Sequence, residues 1–79
     1  MPKPLIIEIK FLLTSILNNK DKGLRMRTLS DVMKLLDELQ MDSTKAEEAI
    51  KVLENKDDKR ADRLIEEILK DVDKNEYGK

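Results

Sequence analysis

Oxygen-bearing side chains at alternate positions near the carboxyl terminus are the closest approach to a known chemical site in this sequence. The run Asp71-Val-Asp73-Lys-Asn75 matches the first, third and fifth ligands of an EF-hand loop, whose oxygens bind Ca²⁺. Such a loop then requires glycine at its sixth position and a bidentate glutamate at its twelfth. Glu76 takes the sixth position and the sequence ends at the ninth, so we expect no calcium site.

A second row of carboxylates is spaced by four residues, as on one side of a helix. Asp58, Asp62 and Glu66 form this row, but cations are interleaved with them, which is typical of a solvated face. The sequence contains no histidine and no cysteine, the usual proton shuttle and the readiest nucleophile or soft-metal ligand. We therefore expect no catalytic residue, metal, cofactor or small-molecule substrate, and a protein that is not an enzyme.

Length and composition set the scale of the molecule. A chain of 79 residues has room for one small core, so we predict a single domain over 1–79. Residues 4–73 are expected to be ordered and the tail 74–79 to fray. The apolar stretch 5–17 is too short to cross a membrane and contains two charges. Without cysteine there is no disulfide scaffold, and we expect a cytoplasmic protein.

Apolar residues recur with the period of a helix in four segments, at about 5–17, 29–39, 44–56 and 59–72. This pattern predicts an all-α domain of three to four short helices, packed as a helix bundle or like a helix-turn-helix. Thr28 or Ser30 is the expected cap of the second segment. Thr44 with Glu47 has the spacing of a capping box for the third, with Asp42 and Ser43 as alternative caps.

The first segment fits two periods. As a helix it places seven apolar residues on one wide face, whereas as a strand Leu5, Ile7, Ile9 and Phe11 alternate with the residues between them. No second strand is predicted in the chain, so such a strand would have to pair with its copy in a dimer. We favour the helix because a two-stranded element is marginally stable by itself.

A helical first segment would leave two large apolar residues off its core face. Ile7 and Phe11 lie one turn apart, beside Lys10 and Thr14. Either the first helix is central and packed on two sides, or these residues are exposed and mark a binding surface. We predict that Ile7 and Phe11 anchor a protein interface, with Lys10 and Thr14 as its polar rim.

Positive charge is concentrated between the first and second segments. Lys20, Lys22, Arg25 and Arg27 lie within eight residues around Gly23, and we interpret 20–27 as a loop. Such a loop is either a solvated connection or a contact for nucleic acid or an acidic partner. No aromatic residue is interleaved for base stacking, and the net charge is −1, so nucleic-acid binding is expected to be weak.

The order of residues 29–36, 43–45 and 49–54 is similar to the support helix, turn and recognition helix of helix-turn-helix proteins. The resemblance implies a DNA-binding regulator that uses the basic 20–27 loop and the third helix. The sequence departs from that pattern because no glycine marks the turn and Glu47 and Glu48 stand where cationic or amide side chains read bases.

Two functional hypotheses follow from these observations. The first is a non-catalytic, protein-binding accessory or regulatory subunit of a larger intracellular assembly, such as one serving replication, transcription or a toxin or defence system. It would bind a protein partner or its own copy through an apolar helical surface. The second is the DNA-binding regulator.

Overall fold

The computed structural model describes residues 4–77, with the side chains of residues 4–74, and these form four helices. They are α1 (Pro4–Leu17), α2 (Lys22–Glu38), α3 (Thr44–Glu54) and α4 (Asp58–Tyr77). No strand is present within residues 4–77, so the all-α prediction is confirmed. The first segment is a helix, and the strand interpretation of residues 5–11 is wrong.

The helices form a ring in which each one packs against two neighbours. Both α1 and α3 pack against α2 and α4. Ion pairs show that α1 and α4 are antiparallel, since Lys10 contacts Asp73 while Lys20, just after α1, contacts Asp62. Short connections turn the chain back at each end, and the resulting bundle measures 37 × 21 × 18 Å.

The predicted inner faces of all four helices meet in a single aliphatic core. Each contributes side chains spaced by three or four residues, which is the spacing that keeps them on one side of a helix. Their burial confirms the faces predicted from periodicity. The fully or almost fully buried apolar residues are Ile6, Ile9, Leu13, Ile16, Leu29, Val32, Leu36, Ala46, Ala49, Leu53, Ala61, Leu64, Ile65, Ile68 and Val72.

The start of α2 differs from its prediction. Helix α2 begins at Lys22 and is capped by Asp21, whose carboxylate accepts a hydrogen bond of 3.1 Å from the Gly23 N–H. The interpretation of 20–27 as a loop is therefore wrong from residue 22 onward. Thr28 does not cap the helix but lies buried in its middle. The charged residues around Gly23 show no apolar period, so the sequence did not predict the first two turns of α2.

Helices α2 and α3 both end in a tight reversal. The N–H groups of Gln40 and Met41 bond back to Asp37 and Leu36, and the chain after α3 repeats the pattern. This is the Schellman arrangement, which requires a left-handed residue just past the helix. Gln40 and Lys56 fill that position, with φ of 59° and 64°.

Acidic side chains accept hydrogen bonds at the starts of α3 and α4, whereas Thr44 is the first residue of α3 and not its cap, and the N-cap Ser43 makes no side-chain hydrogen bond. Asp42 accepts hydrogen bonds from the backbone N–H and the hydroxyl of Thr44, and these bonds hold the pKa of Asp42 below its ordinary value. Asp57 accepts from the Arg60 N–H at the start of α4. Helix α4 continues to Tyr77, past its predicted end near residue 72. Residues 78 and 79 lie outside the described residues, and fraying of the tail stays a prediction.

Candidate protein-binding surface

The side of α1 that faces away from the core carries an uncharged row of residues spaced by three and four. We call it the α1 outer face, and its members are Pro4, Ile7, Phe11 and Thr14, with Asn18 just past the end of α1. The side chain of Phe11 is 72% exposed and that of Ile7 is 50% exposed. The structure therefore excludes a central α1 packed on two sides, and a binding role for this face stays a prediction.

Charged residues border the α1 outer face on its two flanks. Lys10 lies on the flank toward α4, where its Nζ is 2.9 Å from Asp73 Oδ1. Glu8 lies on the opposite flank, toward α2, because residues two apart on a helix point in nearly opposite directions. Thr14 is exposed, and its carbonyl accepts a hydrogen bond from the Asn18 side chain.

Helix α1 is almost free of charge in a highly charged chain. Charged residues make up 42% of the whole sequence, whereas Glu8 and Lys10 are the two among the 14 residues of α1. Apart from Arg25 of α2, the buried side chains of the described helices are uncharged, but α2, α3 and α4 all place many charges outward. The outer side of α1 thus has the composition of an interface core, where charged residues are depleted.

The four predicted basic contact residues have three different environments. Arg25 is completely buried, so it cannot contact a nucleic acid or a partner. Lys20 is exposed and forms a 2.6 Å ion pair with Asp62. Lys22 and Arg27 are exposed in the first two turns of α2. Of the four cations predicted to contact a partner, only Lys22 and Arg27 are therefore exposed without an ion pair among those given above.

The guanidinium of Arg25 ties three parts of the bundle together. Its Nε donates to the carbonyls of Ile16 and Asn19 at 3.1 and 3.0 Å, which satisfies acceptors at the end of α1. Its Nη2 donates to Asp62 of α4 at 2.5 Å. Its Nη1 is buried without a hydrogen-bond partner among the described residues. The cluster therefore joins α1, α2 and α4 at one end of the bundle.

The charge of Asp62 balances this buried cation. Partial burial by itself raises the pKa of Asp62, but hydrogen bonds from Lys20 and Arg25 outweigh it and hold the pKa below its ordinary 3.8. Asp62 is thus an anion near neutral pH. Its role is structural, as its two partners satisfy it.

Sequence reasoning did not find this cluster, although one signal was present. Arg25 precedes Leu29 by four residues and Val32 by seven, so it continues the core face of α2 backward. A cation in a core register requires an anion from another element. The identity of that anion, Asp62, depends on how α4 packs.

The other candidate sites are used in contacts within the bundle. Asp71 lies in the helical part of α4, 2.8 Å from Lys45 Nζ, so the EF-hand-like run does not form a loop. Glu48 of α3 pairs with Arg60 at 3.1 Å. Among the described side chains of residues 4–74, no group of three or more acidic residues could hold a metal ion. None of the described helices has the length and apolar content needed to cross a membrane.

Comparison of the chain with protein-family models, with curated protein sequences and with solved structures finds no match.

Proposed function

We propose that this chain is a non-catalytic, protein-binding accessory or regulatory subunit that acts through the α1 outer face. One observation carries the proposal: Phe11 and Ile7 lie together in solvent, 72% and 50% exposed, on a helix whose other large apolar residues pack inward. A cytoplasmic setting, expected because the sequence has no cysteine for disulfides, is part of the same proposal.

The energetic cost of this exposure supports a binding role. Full burial of a side chain such as Phe or Ile stabilises by about 1.5–3 kcal/mol. Both residues are half to three-quarters exposed, so covering the pair would contribute roughly 2–4 kcal/mol. For a bundle with one small core, this stabilisation is substantial, and the free chain does not gain it because both side chains stay in water.

The test is to replace Ile7 and Phe11 together by serine. We expect binding to the partner, or self-association, to weaken by at least about 1–2 kcal/mol, the scale of interface hot spots. The free energy of unfolding should change little, because neither side chain is in the core. Binding is measured by titration calorimetry or sedimentation, and stability by urea unfolding.

A matched control is available on α3. Glu47 and Lys51 are also exposed and one turn apart, on a helix that does not pack against α1. Their double replacement by serine should leave binding unchanged. The proposal fails if the Ile7 and Phe11 variant stays folded with full affinity and oligomeric state, or if it unfolds a monomer, which would make the pair part of the core.

The DNA-binding hypothesis has less support. It needs the cations of the 20–27 segment at the surface, and Arg25 is buried while Lys20 is paired. It also needs a reading helix, and the amino-terminal half of α3 carries Glu47 and Glu48, which phosphates would repel. We therefore rank it second.

A further inference from the structure

We draw no further inference here: the strongest candidate, the α1 outer face with Ile7 and Phe11 exposed to solvent, carries nothing beyond the proposed function because nothing in the structure shows what covers it.

Discussion

A single buried cation determines how one end of the bundle is built. Arg25 is fully buried, and its charge is balanced by Asp62, which is 28% exposed and also bonded to Lys20. A buried charge without its counterion is far more costly than an apolar residue of similar size. The cluster therefore stabilises the packing of α4 against α1, and the bond that ties α4 to Arg25 of α2, only while Asp62 is ionised.

At this residue scale we predict that Asp62→Asn lowers the free energy of unfolding by about 2–3 kcal/mol near neutral pH, less than for a fully buried pair because Asp62 is partly exposed. Urea unfolding measures the change. Glu66→Gln, an exposed neutralisation one turn later, should stay within about 0.5 kcal/mol of wild type.

The pH dependence follows from the same pair. The pKa of Asp62 is lower in the folded chain than its ordinary 3.8, so its stabilising contribution is present above that value. The contribution is lost as the pH falls through the depressed folded pKa. The difference in the free energy of unfolding between wild type and Asp62→Asn should accordingly become smaller below about pH 4. If this difference stays constant well below pH 4, the Asp62 carboxylate does not balance the charge of Arg25.

At the scale of the elements, two helices end with residues that are poorly suited to their backbone conformation. Gln40 and Lys56 have positive φ, a left-handed conformation that costs an L-residue about 1 kcal/mol and that glycine adopts freely. Both positions close Schellman motifs, in which glycine is the usual residue.

Gln40→Gly and Lys56→Gly should each raise the free energy of unfolding by about 0.5–1 kcal/mol, because relief of the left-handed strain exceeds the added flexibility of the unfolded chain. Thermal or urea unfolding measures the gain. Gln40→Ala keeps the strain and should give no gain. A glycine variant less stable than wild type would contradict the Schellman assignment.

At the scale of the whole molecule, affinity for DNA depends on both the net charge and the positions of the cations. The net charge is −1, which provides no overall attraction to a polyanion. Of the four cations in residues 20–27, Arg25 is inside the protein and Lys20 is paired with Asp62.

We therefore predict DNA affinity in the non-specific range, with a dissociation constant of about 10⁻⁴–10⁻⁶ M at physiological salt. Fluorescence anisotropy over a series of salt concentrations measures both the affinity and the number of phosphates contacted. Lys22→Ala with Arg27→Ala should reduce the salt dependence uniformly across sequences. Tight, sequence-selective binding abolished by that double variant would favour the DNA-binding hypothesis instead.

The sequence by itself determined the helical segments, the core face of each, and the position of Ile7 and Phe11 off the core face of a helical α1, but not their exposure. These features are local, because helical period depends only on the spacing of apolar residues along the chain. Phe11 and Ile7 could be identified in this way, since the opposite side of α1 already held enough apolar residues to fill its core face. Boundaries were less accurate where charged residues such as Lys22 lie inside a helix.

Tertiary structure alone decided that Arg25 is a structural cation. Asp62 is 37 residues from Arg25 in the chain, and only the packing of α4 between α1 and α3 brings them together. Interpreted from composition alone, Arg25 belonged to a solvated loop with Lys20 and Arg27. Its role depended on which helices became neighbours, because a charge can be buried only where another element supplies its counterion.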